Sequence, residues 1–160
     1  MNRKLAAILS ADVKGYSRLM GDDELSTVKT ITAYRQIIAA LIEGHRGRVV
    51  DSPGDNLLAE FGSAVDAVEC AVKIQNAIEW QNAALPDKRK MIFRIGINIG
   101  DVIVREGAIY GDGVNIASRL EGLARPGGIC ISGTSYDQVK GKLPYEYDFI
   151  GLQNVKNIEE

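Results

Sequence analysis

Two aspartates end apolar runs in this chain. Asp12 follows Ile8-Leu9-Ser10-Ala11, and Asp55 lies in Val49-Val50-Asp51-Ser52-Pro53-Gly54-Asp55-Asn56-Leu57-Leu58. Pro53-Gly54 is a turn pair, proline presetting φ and glycine permitting φ > 0, so the second segment reads as a β-hairpin with acids at its tip. If the strand before Asp12 neighbours that hairpin, the two aspartates form a carboxylate pair. Two carboxylates and a backbone carbonyl such as that of Val13 are the oxygen donors Mg²⁺ takes when a polyphosphate supplies the remaining ligands. Two ions so held lower the pKa of an attacking hydroxyl and neutralise a leaving pyrophosphate. Taken singly, each acid reads more simply as a solvated turn residue, so the pair carries the chemistry.

The elements that must position these acids follow from periodicity. Leu5 to Ala11 is a short apolar run bounded by charge, a buried strand. Gly21-Asp22-Asp23 offers an N-cap to a segment whose apolar positions (Val28, Ile31, Tyr34, Ile37, Ile38, Leu41, Ile42) recur at helical spacing and stop at Gly44. The hairpin runs from about Arg48 to Phe61. Ser63 then caps a second helix with the core stripe Ala67, Val68, Ala71, Val72, Ile74, Gln75 and Ile78, and Pro86-Asp87-Lys88-Arg89-Lys90 reads as a charged loop.

Phe93 to Gly100 alternates with period two, a strand that Asp101-Val102-Ile103-Val104 continues or pairs with. Glycines at 96 and 100 leave one face bare, which admits a close backbone or ligand or marks a bulge. Gly111-Asp112-Gly113 opens a third helix, Val114 to Ala124, stopped by Pro126. A buried strand at Ile129 to Ser132, a short helix from Thr134 to Val139 and strands at Tyr145 to Ile150 and Leu152 to Val155 complete the chain. The order predicts an α+β fold: a ferredoxin-like βαββαβ core with an extra short helix and C-terminal strands.

Composition narrows the classes. The chain has 160 residues, 46% hydrophobic and 25% charged, with a net charge of -2; that is one domain with an ordinary core and no basic patch for nucleic acid. The first apolar run breaks at Asp12, too early for a signal peptide or spanning helix, so no membrane insertion and a cytoplasmic location are expected. Cys70 and Cys130 both lie among apolar neighbours and read as buried thiols. The single histidine, His45, excludes multi-histidine metal sites and is expected to be a solvated loop residue.

Four separated motifs then resemble one family. Ala11-Asp12-Val13-Lys14-Gly15-Tyr16-Ser17, Gly54-Asp55-Asn56-Leu57-Leu58-Ala59-Glu60-Phe61, Arg94-Ile95-Gly96-Ile97-Asn98-Ile99-Gly100 and Tyr110 through Glu121 (YGDGVNIASRLE) closely resemble the class III nucleotide cyclase catalytic domain, in order and over nearly the whole chain. The resemblance implies a single catalytic domain over residues 1–160, which ends near where such domains end and is consistent with one cut from a longer chain. It implies conversion of a nucleoside triphosphate to a 3′,5′-cyclic nucleotide and pyrophosphate with two Mg²⁺ or Mn²⁺ ions, in a head-to-tail homodimer whose active sites lie at the interface. Asp12, Val13 and Asp55 would hold the metals in one subunit. Asn115 would place the ribose and Arg119 stabilise the transferring phosphoryl group from the other. The residue chemistry agrees: Asn115 and Arg119 are i and i+4 on one helix face, and a planar guanidinium suits phosphate oxygens. Backbone amides at Gly15, Tyr16 and Ser17 would meet the triphosphate, with Lys156 as a further phosphate contact, while Lys14 is expected to face solvent.

The chain departs from the family at the two purine-specifying positions, which are Asp51 and Ala108. Adenylate cyclases commonly carry lysine at the first and aspartate or threonine at the second. An ionised Asp51, acceptor only, suits the guanine N1 and N2 donors, yet Ala108 donates nothing to O6. The resemblance places adenylate cyclase first and leaves guanylate cyclase open. A catalytically silent nucleotide-binding or dimerisation module that regulates an attached domain is the alternative from another class.

Overall fold

The computed structural model describes residues 2–148. Strand β1 (Asn2–Val13) is followed by α1 (Tyr16–Asp22), α2 (Glu24–Gly44), the hairpin β2 (Gly47–Asp51) and β3 (Leu57–Phe61), α3 (Ala64–Asn82), β4 (Phe93–Arg105), β5 (Ala108–Tyr110), α4 (Asp112–Leu123), β6 (Ile129–Ile131) and α5 (Gly133–Val139). The sheet runs β2-β3-β1-β4-β5, with β6 beside β4. Every pairing is antiparallel except β4 with β6. The first four strands and the helices between them are the expected βαββαβ core.

Local chemistry sets the helix ends. The Asp23 carboxylate accepts the Ser26 amide at 3.0 Å and the Ser63 hydroxyl accepts the Asp66 amide at 3.1 Å, each satisfying one free N–H of a first turn. One difference from the sequence reading is local. The stretch after Val13 is a helix of its own, α1, separated from α2 by the extended Asp23 (φ -159°, ψ 94°). Of the two options open for Asp101 to Val104, the segment takes the first and continues β4.

The strand period of two divides the residues between two faces. Ala7, Leu9, Ala11 and Val13 of β1 join Phe93, Ile95 and Ile97 of β4 and the apolar faces of α2 and α3 in the main core. Ala6 and Ile8 look the other way, with Val102, Ile109 and Ala117 of α4. That second face is curled: β2 and the β4–β5 turn sit at opposite ends of the strand order, yet Arg48 Nη2 donates to the Gly107 carbonyl at 2.9 Å.

Both cysteines are buried and free, as expected. His45 is not a solvated residue. Its ring is 16% exposed and packs back on α2, with Nδ1 2.7 Å from the Leu41 carbonyl, which also accepts the His45 amide at 3.1 Å, so one residue caps the helix end through both backbone and ring. The charged loop near Pro86 has structural work: Arg89 Nη2 donates to Thr27 Oγ1 at 2.6 Å and clamps the α1–α2 junction. Residues 144–148 form no strand, and the rest of the expected C-terminal strands lies outside the described residues. Among the described residues no helix is long and apolar enough to cross a membrane.

Candidate active site

The β1–β3 register sets Ala11 opposite Leu57, so the end of β1 and the hairpin tip are neighbours as the carboxylate pair requires. Asp55 sits in the tip, where the Asn56 amide closes a turn on the Pro53 carbonyl at 2.9 Å and Gly54 takes φ 58°. Its Oδ2 accepts the Val13 amide at 3.2 Å. That bond ties one aspartate to the residue beside the other. Asp12 lies on the α4 face with Ser10, and its carboxylate is gripped by Arg94, Nε to Oδ1 at 3.0 Å and Nη2 to Oδ2 at 2.7 Å.

The donor chemistry suits a hard divalent cation. Asp12 adjoins Val13, whose amide Asp55 accepts, and each carboxylate oxygen keeps lone pairs beyond those used by Arg94 and the Val13 amide. No group of three or more His, Cys, Asp or Glu side chains gathers among the described residues. A cation at this point takes its remaining ligands from water or, with a nucleotide bound, from polyphosphate oxygens.

Behind Asp12 the amide of Lys14 is used by the Ile92 carbonyl at 2.8 Å, and its side chain is exposed. Gly15 then adopts φ 69°, a conformation that favours glycine, and launches α1. With the Val13 and Lys14 amides spent, those of Gly15, Tyr16 and Ser17 have no acceptor among the described residues. Lys156 lies outside the described residues.

Helix α4 carries the other expected residues. It docks on β4 through Gly96, where an added Cβ would stand 2.2 Å from the Glu121 nitrogen and 2.3 Å from the Ala117 oxygen. Asn98 Nδ2 reinforces the dock from below, donating to the Gly113 carbonyl at 3.2 Å. The buried face of α4 is Gly113, Ala117, Leu120 and Glu121, which leaves Asn115 and Arg119 on its exposed side. Neither side chain has a hydrogen-bond or ion-pair partner among the described residues, so a surface ion pair for Arg119 is not formed. A single chain thus assembles Asp12, Val13 and Asp55 but does not bring Asn115 or Arg119 to them.

A cleft of about 280 Å³ separates the hairpin from α4 and is lined by Ser10, Asp51, Asn56, Ser118 and Glu121, among others. Asp51 is exposed at its rim, where Oδ1 accepts the Ser52 amide at 2.9 Å. Ala108, on β5 opposite Arg105 of β4, does not line it. Asp12 and Asp55 do not line this cleft themselves but are the chain neighbours of lining residues, Asp55 of Asn56 and Asp12 two residues on from Ser10, whereas a larger, open hollow of about 530 Å³ at Asn2, Val104, Arg105 and Glu106 lies at the other end of β1.

Three residues at the site had no role assigned from sequence: Arg94, Ser10 and Glu121. The signal for Arg94 was a charge set between the buried apolar residues Phe93 and Ile95, which demands a partner on the next strand. Glu121 is 9% exposed; its Oε1 accepts the Ser10 hydroxyl at 2.9 Å. Burial first, and then the negative Asp12, push its carboxyl from 4.5 up to about 7. A carboxyl whose folded pKa lies above its unfolded one favours the fold when protonated. Its contribution is therefore fully present below about 4.5 and is lost as pH rises through about 7. Glu121→Gln, which keeps the shape without the charge, should leave the melting temperature nearly unchanged at pH 5 and raise it at pH 8. A gain of about 1 to 2 kcal/mol is expected there, after discounting for partial solvent screening. Equal shifts at the two pH values would show that the carboxyl is not strained by its site.

Comparison with known proteins gives these residues a context. The profile described as "Adenylate and Guanylate cyclase catalytic domain" matches residues 2–158. The chain belongs to this cyclase family. The cyclase domain is 46% identical over 160 residues to "Putative adenylate cyclase 3" of Rhizobium meliloti (strain 1021), a match that covers 99% of the chain and 27% of that protein. An uncharacterized protein of Mycobacterium tuberculosis, Rv1359, is 32% identical over 99% of the chain and 61% of its own length. The chain thus spans only part of these relatives. Among solved structures, an adenylate/guanylate cyclase/hydrolase from Silicibacter pomeroyi superposes with TM-score 0.92 at 40% identity, over 99% of this chain and 92% of that one. The guanylyl cyclase Cya2 superposes with TM-score 0.83 at 26% identity, over 99% and 89%. The α+β fold of the cyclase domain is that of these neighbours.

Proposed function

We propose that this domain cyclises a nucleoside triphosphate, ATP in first place and GTP as the alternative, to a 3′,5′-cyclic nucleotide and pyrophosphate in a head-to-tail homodimer. The observation that carries the reading is the split of the site: Asp12, Val13 and Asp55 converge in one chain, while Asn115 and Arg119 face outward without partners. A second copy offers the simplest source of the missing pair.

In the reaction the 3′ hydroxyl oxygen bonds to the α-phosphorus, the bond from that phosphorus to the bridging oxygen of the β-phosphate breaks, and the hydroxyl proton leaves to solvent. Asp12, Asp55 and the Val13 carbonyl would hold Mg²⁺ or Mn²⁺, which when bound lower the pKa of the attacking hydroxyl and offset charge on the leaving pyrophosphate. The amides of Gly15, Tyr16 and Ser17 meet the phosphates, with Lys156 proposed as a further contact. From the partner chain Asn115 places the ribose and Arg119 meets the charge that grows on the transferring group, so the protein contributes mainly position and electrostatics.

Relatives favour each nucleotide in turn: the Rhizobium protein carries an adenylate cyclase name, and Cya2 is a guanylyl cyclase. Asp51 at the cleft rim accepts hydrogen bonds only, which suits guanine, and Ala108 outside the cleft suits neither base. Incubating the purified domain at high concentration with ATP and with GTP in Mn²⁺ is expected to yield cyclic product from at least one. Tight nucleotide binding by calorimetry with neither cyclic AMP nor cyclic GMP formed would replace this reading by a silent nucleotide-binding module.

A further inference from the structure

Asp12 already has a cation beside it, the Arg94 guanidinium, and the pairing is built into the sheet. β1 and β4 set Asp12 and Arg94 directly opposite each other, on the face that also carries Ser10. The side chains are 15% and 26% exposed, so water and salt screen the pair less than they would a surface one. A planar fork spends a lone pair on each carboxylate oxygen and fixes the plane of the carboxylate, which a lysine would not do. Asp55, by contrast, accepts a single backbone N–H.

A divalent cation approaching Asp12 therefore meets a positive charge already seated on the same oxygens. It must share the carboxylate or displace the guanidinium. Glu121 and Asp55 are the other carboxylates acting on Arg94, so a displaced guanidinium stays in negative surroundings. We infer that Arg94 is a positioning residue that orients Asp12 before a cation binds and, by competing for the same oxygens, sets the cation concentration at which the site fills. The inference rests on Asp12 being a cation ligand, as proposed above. A merely structural ion pair would support the fold without moving cation affinity.

Mn²⁺ alone, added to the full chain and counted free in solution by electron paramagnetic resonance, tests this without any turnover. Arg94→Met is expected to bind Mn²⁺ about tenfold more tightly than the wild type, the size of one charge-assisted contact removed from competition. Its melting temperature should also rise more on adding Mn²⁺. Arg94→Lys, which keeps the charge and loses the fork, should fall between, and it carries the test if Arg94→Met does not fold. Adding Asp12→Asn to either variant should abolish the gain. Equal Mn²⁺ affinity in wild type and variant, no binding by either, or a gain that survives Asp12→Asn would overturn the inference. The cyclase reading fails separately: a gain in Mn²⁺ affinity from a wild-type chain that forms no cyclic nucleotide leaves the Arg94 role standing and removes the reaction.

Discussion

Arg119→Ala is expected to lower kcat by about three orders of magnitude while KM changes by only a few-fold, because a guanidinium that meets charge developing in the transition state contributes little to ground-state binding. The fold should be untouched, since the side chain is exposed on α4 and has no partner among the described residues. Asp55→Ala should be equally inactive for a different reason, loss of a cation ligand. Its only described bond, to the Val13 amide at 3.2 Å, makes the stability cost about 0.5 to 1.5 kcal/mol. The decisive measurement mixes the two inactive proteins. In a mixed dimer one interface site carries both lesions and the other carries neither. Random pairing then returns about a quarter of wild-type turnover, since half the dimers are mixed and each keeps one of two sites. Dimers that exchange subunits and still form no cyclic product would rule out a site shared between chains, and an Arg119→Ala variant that turns over normally would remove Arg119 from the chemistry.

The sequence made the carboxylates easier to find than the groups that control them. Asp12 and Asp55 were legible because each interrupts an apolar run at a point where turn chemistry ends a strand, and the topology implied by the helix and strand order placed those ends together, as the Ala11 to Leu57 register does. Arg94 and Glu121 were not, although both lie in quoted motifs. Their roles depend on which residue stands across the sheet or beneath the helix, and that is a matter of register rather than local pattern: Arg94 faces Asp12 only because β1 and β4 pair along their whole length. The α1 helix was missed for a related reason. Seven residues are too few to show a helical period, and the extended Asp23 that separates α1 from α2 serves as the cap of the longer helix. His45 escaped because its burial comes from a bond back to the Leu41 carbonyl, which spacing alone does not reveal.

The bare strand glycine is where a sequence reading that left two options open now supports a definite expectation. An added Cβ at Gly96 would stand 2.2 Å from the Glu121 nitrogen and 2.3 Å from the Ala117 oxygen, both of them backbone atoms inside α4 that no side-chain rotation can move. Gly96→Ala should therefore push the whole helix off β4, and Gly96→Val should do so further, each costing more than about 3 kcal/mol where a tolerated overpacking costs 1 to 3. The loss extends beyond stability. Glu121 and Ser118 wall the cleft and Asn115 and Arg119 ride on the outer side of the same helix, so its displacement removes the cleft wall and misplaces both exposed residues at once. Gly21→Ala is the matched control: it lies within α1 with nothing inside 4 Å of the new methyl, and should stabilise by about 0.5 to 1 kcal/mol through helix propensity. Urea denaturation of the three variants reads the energies, and amide hydrogen exchange across Asp112–Leu123 reads the helix directly. A Gly96→Ala protein with wild-type stability and wild-type protection in α4 would mean that the helix does not rest on that glycine, and the positions assigned to Asn115, Arg119 and Glu121 would fall with it.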